Sequence, residues 1–149
     1  MPPNEPSLFE KVMTLKAAGE FTAISALIPY SAFVGFELVS DEQGLLTILR
    51  ARPSNIGNTT IPAVHGGVVG AMLEHAGVMH IIQESEIARF PRIINISVDY
   101  LRPCLGQQDT FARGYLIKQG RSVSNVRVEA WQSDPQRPVA AAHAHFMMG

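Results

Sequence analysis

The residue types best able to do chemistry lie close together, as His65-Gly66-Gly67 followed by Glu74. Glu74 stands among Val68, Val69, Met72, Leu73, Ala76 and Met79, which recur with a helical period. An ionised carboxylate is costly on such a helix unless it is paired, hydrogen-bonded or put to use. Burial raises its pKa, which suits a general base. The residues leave a second reading open, in which Glu74 is partnered by a buried arginine or faces a subunit interface. His65-Gly66-Gly67 falls at the N-terminus of the same helix, where unpaired backbone N–H groups and the positive end of the helix dipole converge. Such a corner can hold an oxyanion, and consecutive glycines let a carbonyl approach the backbone closely. A plain helix-start turn with a solvated His65 is the alternative.

Gly67 and Glu74 are seven residues apart, which puts them on one helix face but about 10 Å apart along the axis. One carbonyl can hardly reach both within a single chain. If both act on one substrate, the simplest arrangement takes the glycine amide from one subunit and the carboxylate from another across a two-fold interface.

The remaining candidates are weaker. His143 and His145 lie two apart on a strand and share a face, which suits a metal pair if a third ligand joins them, although satisfied or interfacial histidines explain them more simply. No metal is expected. His75 neighbours Glu74 in sequence but points about 100° away around the helix, and packing at an interface accounts for it. Cys104 is the one cysteine, which excludes an intrachain disulfide.

The elements that must position these groups are legible. Ser7-Leu8-Phe9-Glu10 has the form of a capping box opening a short helix. A second helical piece over residues 21–27 stops near Pro29, leaving residues 28–32 as a connector. Residues 34–39 and 45–50 read as a hairpin about Asp41-Glu42-Gln43-Gly44. The long apolar helix covers residues 66–83. After Pro91 a period of two appears, with Ile94, Ile96, Val98 and Tyr100 on one face and Asn95, Ser97 and Asp99 on the other. Further strands follow at residues 110–118, 122–132 and 139–148, divided by tight turns. The expected class is α+β, an antiparallel sheet with one long helix covering one face, in a single domain of 149 residues.

The stretch His65-Gly66-Gly67-Val68-Val69-Gly70-Ala71-Met72-Leu73-Glu74 resembles the motif of hotdog thioesterases of the phenylacetate-degradation (PaaI-like) type, in which an Asp or Glu stands nine residues beyond the histidine. Ser97-Val98-Asp99-Tyr100-Leu101-Arg102-Pro103 is similar to the family's strand after the helix, and Lys118-Gln119-Gly120-Arg121-Ser122 to its following turn. The resemblance implies the hotdog fold, a sheet wrapped around the central helix, and hydrolysis of an acyl-CoA thioester. It implies Glu74 as general base or nucleophile, the Gly67 N–H polarising the thioester carbonyl beside Gly66, and His65 helping to position it. Arg102, Lys118 and Arg121 become candidates for the phosphates of coenzyme A. The family often has Asn or Gln six residues before the histidine to hold the attacking water. Here Thr59 stands there, with Asn58 one position earlier as a substitute. A family Ser or Thr one turn after the carboxylate is replaced by Val78. No cofactor is implied beyond the coenzyme A of the substrate, and members commonly assemble as dimers paired into tetramers.

Twelve basic and thirteen acidic side chains give a formal net charge of -1, so no broad field attracts nucleic acid or an anionic membrane. Residues 61–82 approach membrane-spanning length but carry His65, Glu74, His75 and His80, which favours a buried helix. Residues 1–10 hold prolines and acids rather than a basic and then apolar leader, so a cytoplasmic location is expected. Two competing readings remain: a hotdog hydratase or dehydratase acting on a β-hydroxyacyl group, and a non-catalytic acyl-CoA or lipid binder.

Overall fold

The computed structural model describes residues 5–149, with only the main chain of Leu116. Helix α1 (Leu8–Ala17) opens with the expected capping box: Ser7 Oγ accepts the Glu10 N–H, and the Glu10 carboxylate accepts the Ser7 N–H at 2.7 Å. The first residues of the proline-rich start, 1–4, lie outside the described residues. Helix α2 (Phe21–Ala26) follows. The connector expected over residues 28–32 is instead mostly helix α3 (Pro29–Val34). Pro29 ends one helix yet starts the next, because its missing N–H has no intrahelical partner in a first turn and its fixed φ suits helix. Gly35 closes α3 at φ 92°, a left-handed conformation that favours glycine.

Strands β1 (Phe36–Asp41) and β2 (Gly44–Leu49) form the expected hairpin. A two-stranded pair, β3 (Ile56–Asn58) and β4 (Ala63–Val64), precedes the long helix α4 (Gly66–Glu84). Four strands complete the chain: β5 (Arg92–Tyr100), β6 (Thr110–Gln119), β7 (Val123–Trp131) and β8 (Ala140–Met147). They join β1 and β2 in one antiparallel sheet of order β1-β2-β6-β7-β8-β5 that wraps α4. This is the hotdog arrangement.

Met72, Leu73, Met79, Ile81 and Ile82 of α4 are fully buried against the inward residues of β7 and β8, which alternate as Val126, Val128, Ala142, Ala144 and Phe146. The helix comes close because the sheet is small where it passes. A Cβ on Gly114 would lie 2.9 Å from His80 Cβ and 3.0 Å from Ala76 O.

Strand β5 departs from the simple alternation. A bulge between Ile93 and Asn95 in its pairing with β8 adds a residue, so Ile93 joins Ile96 and Val98 on the partly buried face while Ile94 is left 49% exposed. Tyr100 is also exposed and reaches α4 instead of the core.

Gly114→Ala is expected to destabilise the fold by about 1–3 kcal/mol, since the new methyl meets backbone and a helix Cβ rather than a flexible tip. A lowered urea midpoint with unchanged slope checks this.

Candidate active site

His65 is the N-cap of α4, and its Nδ1 accepts the Gly67 N–H at 2.9 Å. The amide expected to meet the substrate carbonyl is therefore engaged in the isolated chain. The Val68 and Val69 amides donate to the His65 carbonyl at 2.9 and 3.2 Å. Among the described residues nothing accepts the Gly66 N–H, which makes it the open donor of this helix end. With Nδ1 accepting, Nε2 is the ring nitrogen left to carry a proton and donate.

Three contacts hold this corner. The His65 N–H donates to Asn55 O at 2.8 Å. Tyr100 Oη–H donates to Gly66 O at 2.8 Å, tying the helix start to the end of β5. Gly57 in β3 lies directly beneath the histidine: a Cβ there would fall 2.7 Å from His65 Cα and 2.8 Å from Cδ2. Tyr100 and Gly57 escape a reading of spacing alone, because both act through tertiary contacts made by neighbouring strands.

Glu74 lies two turns further along α4, half-buried at the wall of an apolar cavity of about 340 Å³. The cavity is walled by Leu27, Ile28, Tyr30, Phe36, Val78 and Phe90, among others. Among the described residues no hydrogen bond or ion pair engages the Glu74 carboxylate, and burial holds its pKa above the ordinary value of 4.5. The buried arginine that could have partnered it, Arg113, binds Asp41 at 2.5 Å and Gln43 at 2.6 Å. Gly66 lines a different depression, together with Tyr100, Arg102 and Cys104. The two halves of the sequence motif thus face separate hollows.

The other candidates scatter. Asn58 Oδ1 accepts the Thr60 and Ile61 amides at 3.0 and 3.3 Å, so this side chain shapes the β3–β4 turn. Arg102 is exposed beside the Gly66 hollow and donates to Pro138 O. Lys118 and Arg121 are also exposed but sit at the other end of the sheet, where Gln119 pairs with Ser124 and Val123 with Met147. The length of β5, roughly 30 Å, separates the two ends. His145 Nδ1 is 2.7 Å from Asn95 Oδ1, and no group of three metal-ligating side chains forms among the described residues.

His75 requires a correction. It is not placed to pack at an interface but is 5% exposed in the interior of the chain, with Nδ1 2.8 Å from Thr47 Oγ1 and Nε2 2.8 Å from Ser25 Oγ. Burial lowers its pKa to about 4, so the ring is neutral at neutral pH.

A sheet wrapped on a helix, with a carboxylate at an apolar cavity and an open donor at the helix start, is an arrangement suited to an acyl group. Residues 62–139 match the family described as the thioesterase superfamily. A protein of Salmonella typhimurium named medium/long-chain acyl-CoA thioesterase YigI is 32% identical, covering 91% of this chain and 94% of its own. A crystal structure from Chromobacterium violaceum is 35% identical with TM-score 0.76, covering 93% of this chain and 96% of that one. A phenylacetic acid degradation-related protein from Ralstonia eutropha is 25% identical with TM-score 0.71, covering 91% and 98%. The chain belongs to the thioesterase superfamily, and thioester hydrolysis is the enzyme class of its named relatives. Among the described residues no helix is long and apolar enough to cross a membrane.

Two outcomes are expected. Gly57→Ala displaces the His65 ring and loosens the helix start, lowering kcat/KM by about tenfold with a smaller loss of stability, read by steady-state kinetics beside urea unfolding. His75 is neutral when folded, so the unfolded chain binds its proton first. Its contribution is intact above about pH 6.5 and is lost as pH falls toward about 4, at about 1.4 kcal/mol per unit. The stability difference between wild type and His75→Gln, followed by urea unfolding over that window, should carry this slope.

Proposed function

We propose that this protein hydrolyses medium- to long-chain acyl-CoA thioesters, with Glu74 activating the attacking water. The observation that carries this reading is a partly buried, unpartnered carboxylate on the wall of an apolar cavity. Water oxygen attacks the thioester carbon while Glu74 takes a water proton. The carbonyl oxygen gains charge against the open amide of Gly66 and the Nε2–H of His65, whose ring is held by the Gly67 amide. The carbon–sulfur bond then breaks, the sulfur takes up a proton, and a free acid and coenzyme A leave. The names of the YigI relatives support the substrate class. No further cofactor enters this scheme.

The site is completed by a second copy. Strand β1 is flanked by α2, whose Thr22 hydroxyl donates to Leu38 O at 2.8 Å. Strand β5 ends the sheet on the other side, and among the described residues no further strand pairs with it. Such an edge is a template for pairing. Tyr100, at the end of β5, touches the Gly66 corner, while Phe90 and Pro91, just before its start, line the Glu74 cavity. Antiparallel pairing of two β5 strands about a two-fold axis therefore sets the Gly66 corner of one copy toward the Glu74 end of the other. The same operation moves Arg102 toward the partner subunit's Lys118 and the partner subunit's Arg121, giving three cations for the phosphates of coenzyme A. Pairing of such dimers into a tetramer and a cytoplasmic location complete the proposal, with the 149 residues acting as one hotdog unit.

Val78, which occupies the turn after Glu74 where some family members carry a Ser or Thr, favours one second reading, a binder that does not turn over. Thiol release from short, long and aromatic acyl-CoAs separates the two. The hydrolase reading expects activity that Glu74→Ala lowers by about 10²–10⁴-fold. It also expects kcat/KM to rise with pH along a limb set by a pKa above 4.5, and that limb to vanish in Glu74→Gln. Absence of thiol release from every substrate would leave the binder.

A further inference from the structure

One polar chain in this core has no part in the chemistry above. Thr47 on β2, His75 on α4, Ser25 on α2 and Ser31 on α3 are joined in series, with 2.8 Å from Thr47 to His75, 2.8 Å from His75 to Ser25 and 2.9 Å from Ser25 to Ser31. All four side chains are buried, at 1% to 5% exposed. A leucine at position 75 would fill an apolar interior more cheaply, since a buried imidazole must have both nitrogens satisfied. Both nitrogens are satisfied, one by each flank of the helix. The neutral ring donates through one nitrogen and accepts through the other, so the chain has a direction, and each member fixes the next.

What the chain ties together is informative. Helices α2 and α3, with the residues between them, supply Leu27, Ile28, Pro29, Tyr30 and Ser31 to one wall of the cavity beside Glu74. The opposite wall belongs to α4, through Ala71, Glu74, His75 and Val78. Phe36, also in the lining, has its ring 5.1 Å from the His75 ring. The chain therefore crosses from α4 to the α2–α3 wall, anchored on β2 behind. Apolar contacts alone are non-directional and let a short helix slide, whereas a directional chain of hydrogen bonds sets its distance from α4.

We propose that the Thr47–His75–Ser25–Ser31 chain sets the width of the acyl cavity, which makes Ser25 and Thr47 positioning residues for acyl chain-length selectivity although neither touches the cavity. The inference rests on the proposed acyl-CoA reading and deepens it. It assigns the choice of acyl chain to the junction of α2–α3 with α4, away from the thioester. A short acyl group fills only the part of the cavity near Glu74 and is indifferent to this wall. A long one packs along it and feels its position.

The test compares wild type with Ser25→Ala, Thr47→Val and the hydroxyl-retaining Thr47→Ser on butyryl-, octanoyl-, dodecanoyl- and palmitoyl-CoA. Ser25→Ala and Thr47→Val should change the ratio of kcat/KM between the preferred long acyl-CoA and butyryl-CoA by about tenfold, through KM, the scale expected when a buried bond partner is removed. Butyryl-CoA turnover should stay within about twofold of wild type, and Thr47→Ser should keep the wild-type ratio. Calorimetric titration of the matching free fatty acids gives a readout independent of turnover, and the same variants should lose the same discrimination. If the variants lose activity on all substrates in parallel, or keep the wild-type profile in both assays, the proposal is overturned. If wild type releases no thiol but binds fatty acids with a chain-length preference that Ser25→Ala and Thr47→Val erase, the hydrolase reading fails and this one stands.

Discussion

The close seating of α4 in the sheet is the contact on which the site depends. Gly114 and Gly77 bring helix and strand backbones together, and Ala112, Ala142 and Ala144 keep the surrounding floor low. A helix seated against small residues has little room to translate or roll, because a close-packed interior is nearly incompressible. That rigidity fixes two things at once, the open amide at Gly66 and the carboxylate of Glu74, and it fixes them about 12 Å apart along the axis. The helix start and the mid-helix carboxylate then face different hollows, one bordered by Tyr100 and Arg102, the other by α2 and α3.

A rigid separation of this kind gives the proposed dimer its logic. A single chain presents donor and base to different spaces, and in the proposed dimer a second chain brings a donor to each base. The edge strand β5 runs between the two hollows and carries one at each end, which makes antiparallel pairing along it the operation that exchanges them. The electrostatics agree with the division of labour. The helix start offers positive potential where a carbonyl oxygen gains charge, while the Glu74 cavity offers low polarity, where the carboxylate is a better base and an acyl chain is at home.

Much of this was readable from residue order, and the parts that were not share a cause. The capping box at Ser7 and Glu10, the β1–β2 hairpin, α4 and the last three strands follow from local patterns, and the structure has each of them. Pro29 is ambiguous in a sequence because the same residue that ends a helix is at ease in the first turn of another. The β5 face slipped at a bulge, which leaves no mark in a run of Arg92-Ile93-Ile94-Asn95-Ile96. His75 was read by its angle from Glu74, a correct angle that says nothing about Ser25 and Thr47, distant in sequence. Glu74 stood out because a carboxylate in an apolar helix is conspicuous. Its freedom from Arg113 rests on Asp41, distant in sequence, which holds that arginine. The cations at 102, 118 and 121 were grouped by charge, and register places them at two ends of one sheet.

The central claim is that one thioester meets the amide corner of one chain and the carboxylate of another. Mixing Glu74→Ala with Gly67→Val, under conditions that exchange subunits, tests it most directly. Each variant alone is expected to be nearly inactive. Random reassociation should restore about a quarter of wild-type activity, since half the dimers are mixed and each carries one intact site. Mixtures that stay as inactive as their components, with exchange verified by mass, would contradict a shared site and place the chemistry within one chain.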